Sequence, residues 1–240
     1  MDSVNKIKTE LKSLSDPKRA KASAWFFKTA PGQYGFGDKF IGITVPVLRR
    51  VAQKYSNLDF AQIKKLLQSQ IHEHRFVALE ILVFKYEHGA AALKQKVFDF
   101  YLKNRKFINN WDLVDTSAPY IVGDYLLNRS KNLLDRLAAS KNIWERRIAI
   151  VSTLGFIQKG KVQYTMKIAQ ALLHDRHDLI HKASGWALRE VGKKSEQIHL
   201  KFLDKFAGKM PRTMLRYAIE RLPEQKRKYY LNKKNDKRNF

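Results

Sequence analysis

Lys182-Ala183-Ser184-Gly185-Trp186-Ala187-Leu188-Arg189-Glu190 starts on a cation and continues with apolar residues spaced along one face of a helix. The same opening, a basic or polar residue leading a strongly apolar run, recurs at Arg75-Phe76-Val77-Ala78, Arg147-Ile148-Ala149-Ile150 and Arg216-Tyr217-Ala218. From 75 to 147 is 72 positions, two steps of 36 with Asp112 near the midpoint, while 147 to 182 is 35 and 182 to 216 is 34. That is the period of a helical-hairpin repeat. Repeats of this size stack into a curved solenoid whose second helices line a concave surface, so equivalent positions form one row. The expected fold is therefore an all-α helical-repeat solenoid, an α-α superhelix with a concave basic groove.

The rest of the chain agrees. Helical spacing relates Val4, Ile7, Leu11 and Leu14, then Ile63, Leu66 and Leu67, then Leu93, Val97, Phe98, Tyr101 and Leu102, and no stretch alternates as a half-buried strand would. Helix starts are marked by Ser15-Asp16-Pro17, Thr44-Val45-Pro46, Asp59 before Phe60, Ser195 before Ile198 and Pro211 before Met214. About a dozen helices are expected. The longest irregular stretch, residues 31–39, crowds turn formers around Tyr34 and Phe36 and reads as an ordered surface loop.

Lys and Arg number 47 against 22 Asp and Glu, a net charge of +25 over 240 residues. Solubility does not require so much charge, and a polyanionic partner is the natural inference. Binding to nucleic acid would release condensed counterions and weaken as salt rises. No apolar run is long enough to span a bilayer, and residues 1–13 lack the apolar centre of a signal peptide, so a cytoplasmic protein is expected, nucleoid-associated if bacterial. Cysteine is absent, which excludes disulfides, thiol nucleophiles and cysteine-held metal clusters. With 44% hydrophobic residues the chain can bury a core unaided, as a single domain over residues 1–240 with a possible basic tail at 226–240.

Tryptophan beside charge marks the candidate site. In Asn110-Trp111-Asp112-Leu113-Val114-Asp115, Trp111 and Asp115 are four apart and share one face if the segment is helical. Trp144 with Arg147, and Trp186 with Arg189, are three apart and pair an indole with a guanidinium. Each feature also has a plain structural explanation: tryptophan is usually core, Asp115 could cap a turn before Pro119, and the arginines could pair with Glu145 or Glu190. The basic residues could equally solvate amphipathic helices, although the row and the net charge together favour phosphate contacts.

These motifs, together with Gly42-Ile43-Thr44-Val45-Pro46 and Arg49-Arg50, Pro119 with Gly123-Asp124, Asn142-Ile143-Trp144, and Lys182 with Gly185-Trp186 and Leu188-Arg189-Glu190, resemble the DNA alkylation repair proteins of the AlkD type. Those proteins are DNA glycosylases built from HEAT-like helical repeats. The resemblance implies excision of N3- or N7-alkylated purines by a cofactor-free monofunctional enzyme, acting as a monomer on duplex DNA without an obligate protein partner. Carried over by position, it puts the catalytic aspartate at Asp115, the cradle tryptophans at Trp111 and Trp186, and a backbone-contacting arginine at Arg147. Lys182, Arg189, Arg216, Thr44 and Phe26 are further candidates for DNA contact. Phe26 stands where a tyrosine is found in members of the family, so one hydroxyl contact is expected to be missing.

Other chemistry is thinly supported. His174, His177 and His181 would be broken off a common helix face by a turn at residues 175–178, and His72-Glu73-His74 lacks zincin spacing, so no metal site is expected. Gly32, Gly35 and Gly37 are not followed by the lysine and hydroxyl of a phosphate loop. The rivals to a glycosylase are a noncatalytic scaffold of the same fold that binds DNA structures or an acidic partner, and an RNA-binding protein. A carboxylate beside Trp111 favours the glycosylase, because a groove meant only for phosphates has no use for it.

Overall fold

Each of the five marked helix starts begins a helix in the structure, a computed structural model that describes residues 3–233. Asp16 caps its helix by accepting from the Lys18 and Arg19 amides, and Asp59 forms a capping box with Gln62. Thr44, Ser195 and Pro211 occupy the N-cap positions of three more. Among the described residues there is no strand, only an isolated bridge between Lys39 and Ile71, and the fold is all-α.

The chain divides into two compact units, Met1–Tyr125 and Leu126–Phe240. The first contains α1 (Ser3–Ser13), α2 (Pro17–Phe26), α3 (Val45–Lys54), α4 (Phe60–Leu67), α5 (His72–Glu87), α6 (Ala91–Asn104), α7 (Trp111–Asp115) and a π-helical turn, Pro119–Gly123. Helix α5 is its centre and packs on α3, α4, α6 and α7. It is buried nearly all round, so its apolar residues Leu79, Ile81 and Leu82 meet Ile63 and Leu66 of α4 and Val97 and Tyr101 of α6 in one core. The short turn α8 (Asp124–Leu126) carries the chain onward.

The second unit contains α9 (Asn132–Ala138), α10 (Ile143–Gln158), α11 (Gln163–Ala171), α12 (Asp178–Lys194), α13 (Glu196–Phe206), α14 (Arg212–Ile219) and α15 (Glu224–Asn232). Here the repeat is regular. Helices α10, α12 and α14 begin at 143, 178 and 212, and α12 packs on both of the others. Gly185 permits the closest approach: a Cβ there would lie 2.5 Å from the Met214 carbonyl oxygen and from the Tyr217 Cβ. The possible basic tail at 226–240 is only partly within the described residues. Residues 226–232 belong to α15, anchored by buried Tyr230 donating to Asp204, and residues 234–240 lie outside those described.

The period falters at α7, which begins 39 positions after α5 and 32 before α10. Pro119 also cuts the helix short. It has no N–H to give the carbonyl four residues back, that of Asp115, so the helix stops there and resumes as a π-turn.

Candidate functional site

Helix α7 is only five residues long, too short to hold its own conformation, and its neighbours fix it. The Asn110 side-chain oxygen accepts from the Trp111 amide at 2.8 Å, and its Nδ2 donates to Asp38 at 3.2 Å. Asp112 meets His72 Nε2 at 2.7 Å, while the other nitrogen of that ring faces Asp38 at 3.1 Å. Arg75 completes the cluster with an ion pair to Asp38 at 2.7 Å. His72 and Arg75 sit in the first turn of α5, so one helix start holds both α7 and the end of the 31–39 loop.

Electrostatics reinforce the geometry. Burial alone would push the His72 imidazole down, but the charge of the Asp112 carboxylate, with the hydrogen bonds that the ring donates to Asp112 and Asp38, raises it to about 9. It is therefore charged at neutral pH. Burial would likewise raise Asp38, yet His72, Arg75 and Asn110 hold it below the ordinary carboxylate value. Glu73, also buried, accepts the amides of Ile41 and Gly42 at 3.0 and 2.7 Å. Gly42 can follow this path because its φ of +81° costs glycine little.

Trp111 ends a column of rings. It stacks on Phe27 at 5.1 Å, Phe27 stacks on Phe40 at 4.9 Å, and Phe40 stacks on charged His72 at 4.5 Å. Exposed Phe26 meets the Trp111 indole edge-on at 5.9 Å. Beside it Trp25 is 74% exposed, with Lys28 over its ring. One face of the indole is thus committed to packing, and Trp111 as a whole is half-buried.

Asp115, half-buried, closes α7 at the Pro119 break. Tyr101 lies within its field: burial raises that phenol above its ordinary value, the Ser117 hydroxyl opposes the rise, and the Asp115 charge adds to it. The two carboxylates of α7 therefore differ. Asp112 is bound into the His72 cluster, and Asp115 sits one turn later on the face that carries Trp111.

The remaining candidates are dispersed. Thr44 stands at the N-cap position of α3, makes no side-chain capping bond and is exposed. In the second unit, Trp186 is half-buried and lines a cleft of about 290 Å³ with Leu154, Ile157, Glu190 and Lys193. Lys182 pairs with Asp178 at 2.7 Å, Arg189 pairs with Glu190 and Glu220, and Arg216 is exposed. The expected row of cations is not uniform. Arg75 and Arg147 are only 4% and 5% exposed and donate to the carbonyls of Ser69 and Leu179. These two guanidiniums satisfy helix-start backbone oxygens as well as carrying charge. Trp144, on the same face of α10 as Arg147, is core.

Two of the three histidines weighed as metal ligands have structural partners. The His177 ring accepts from the Leu179 amide as the N-cap of α12, and His181 contacts the Asp175 carbonyl at 2.5 Å. Among the described residues no group of three or more His, Cys, Asp or Glu could hold a metal ion. Sequence reading weighed His72 and Glu73 only as metal ligands and missed both the roles they play here and Asp38, the partner of His72. Their pairing spans 34 positions and carried no local signal beyond a run of polar residues opening an otherwise apolar helix.

Fold and site together define an all-α protein of helical hairpins that combines an aromatic and carboxylate cluster with a large positive charge. The sequence profile of the DNA alkylation repair enzymes matches residues 7–222, and the chain belongs to that family. The fold is similar to that of a solved structure, a predicted DNA alkylation repair enzyme from Enterococcus faecalis, with a TM-score of 0.68 and 18% identity over 88% of this chain and 97% of that one. No curated protein matches the sequence. No helix among the described residues is long and apolar enough to cross a membrane.

Proposed function

We propose that the protein is a DNA glycosylase of base excision repair that hydrolyses the N-glycosidic bond of cationic N3- or N7-alkylated purines in duplex DNA. Alkylation gives the purine a formal positive charge, so the base leaves neutral with the bonding electrons and needs no general acid. The enzyme must stabilise the positive charge that develops on the deoxyribose and hold the water that attacks C1′. A carboxylate serves both ends, because it offsets the charge and accepts a hydrogen bond, and finally a proton, from the water. Asp115 is assigned this role. Trp111 and Trp186 are assigned cation–π contacts to base or sugar, worth about 0.5 to 2 kcal/mol each. The cationic surface supplies the affinity for phosphates.

The observation that carries this reading is the arrangement on α7, where Asp112 secures the helix to His72 and half-buried Asp115 stands four positions from Trp111, the indole that ends the ring column. The test is release of 7-methylguanine or 3-methyladenine from duplex DNA by the wild type and by Asp115→Asn. Loss of the preorganised charge is expected to cost about 3 to 4 kcal/mol, roughly a hundred- to thousandfold in rate. Equal release by the two proteins overturns the assignment. A wild type that binds DNA yet releases no base favours the noncatalytic scaffold. Neutral lesions such as uracil should be poor substrates, and the product should be an unbroken strand with an abasic site.

A further inference from the structure

A cavity of about 500 Å³ opens on the second unit where the end of α10 meets the starts of α9 and α11. Four cationic side chains line it, Arg129, Lys131, Lys161 and Lys167, with the rings of Phe156 and Tyr164, and no carboxylate is among its lining residues. Phe156 lies nine residues beyond Arg147 on α10, about 13 Å further along the helix axis. The pocket is therefore separate from the helix-start residues considered above.

What holds these cations matters more than their number. The Lys131 ammonium donates to the Arg129 carbonyl at 3.0 Å and lies 5.5 and 5.9 Å from the ring centres of Phe156 and Tyr164. Lys161 donates to the side-chain oxygen of Asn128 at 2.7 Å. These partners orient the ammonium groups without cancelling their charge. Lys167 pairs with a carboxylate, Asp135, which also accepts from the Tyr164 hydroxyl. Like charges converging on one cavity repel, and a bound anion turns that repulsion into attraction.

We propose that this pocket binds phosphate oxygens, with Lys131 and Lys161 as the principal contacts and the two rings as the wall that sets the Lys131 ammonium in place. The phosphate comes either from the DNA backbone, which would give the protein a nucleic-acid contact apart from the lesion site, or from a free nucleotide. The inference does not depend on the role of Asp115, and undamaged DNA suffices to test it.

The experiment compares wild type, Lys131→Gln/Lys161→Gln and a control of equal charge, Lys64→Gln/Lys65→Gln, whose lysines are exposed on α4. Binding to a short undamaged duplex is followed by fluorescence anisotropy across a salt series, and binding of dAMP and of inorganic phosphate by calorimetry. If the backbone is the source, the pocket variant loses about 2 from the slope of log K against log salt and binds about tenfold more weakly, while the control changes far less. If a free nucleotide is the source, both double variants bind duplex alike, and the wild type binds dAMP or phosphate in a way that only the pocket variant loses. If the two double variants match in every arm, the positive charge acts diffusely and the proposal is overturned.

Discussion

Without the imidazole of His72, two carboxylates, Asp38 and Asp112, lose a shared partner at once. Breaking a buried charge cluster from one side costs about 3 to 5 kcal/mol, so His72→Ala should lower the melting temperature by several degrees or more, and differential scanning calorimetry will show it. The same residue sets one limb of the pH profile. Because its folded pKa of about 9 lies above the 6.5 of the unfolded chain, its stabilisation is full below pH 6.5 and declines as pH rises through 9. His74 and His199 act oppositely. Burial lowers both to about 4, so each supports the fold above pH 6.5 and loses its contribution as pH falls toward 4, on the order of 2 to 3 kcal/mol each. The lowered Asp38 adds to the acid limb at still lower pH. Melting temperature should therefore peak near pH 6.5, and His72→Asn should flatten the alkaline side while the acid loss due to His74 and His199 remains. A wild-type profile that rises from pH 6.5 to 9 would contradict this.

Gly185 and Glu73 show what single positions do for whole elements. A methyl group at 185 must displace the Met214 carbonyl or the Tyr217 side chain, so Gly185→Ala should force α12 and α14 apart and cost about 1 to 3 kcal/mol despite the gain in helix propensity. Denaturant unfolding measures the loss, and unchanged stability would mean that the two helices have room to shift. Glu73→Gln keeps the size of the side chain but loses the charge that holds two successive amides. Hydrogen exchange should then accelerate at residues 38–43 while the core of α5 stays protected. Both elements bear on what the sequence made legible. Caps and helical periodicity are local, which is why Asp16, Asp59 and Ser195 mark their helices and α10, α12 and α14 keep the expected spacing. The burial of Arg75 and Arg147 was not legible, because an arginine that caps a carbonyl and one that faces solvent open a helix with the same letters. Nor was the His72 cluster, whose partners come from a loop and from a helix that begins 39 positions later.

At the scale of the molecule, +25 charges impose a field that no single contact accounts for. Affinity for undamaged duplex should fall steeply between about 50 and 200 mM salt, whereas Asp115→Asn, which removes a negative charge, should leave that binding unchanged or slightly tighter. A filter-binding series separates the two, since a variant that lost both binding and excision would place Asp115 in the fold instead of the chemistry. The candidate site was partly visible in the sequence, through Trp111 and Asp115 at helical spacing. The ring column behind the indole was not, because Phe27 and Phe40 lie in turn-rich sequence where stacking leaves no periodic trace.

The bridge between Lys39 and Ile71 has a practical corollary. Trypsin needs its target drawn out as an extended ribbon with its amides free, and Lys39 offers an exposed side chain on a backbone whose N–H is given to Gln70 and whose carbonyl is taken by His72. In limited digestion the bond after Lys39 should survive while cuts accumulate at lysines that stand in plainer turns. A loop that looks open to attack is in effect riveted shut.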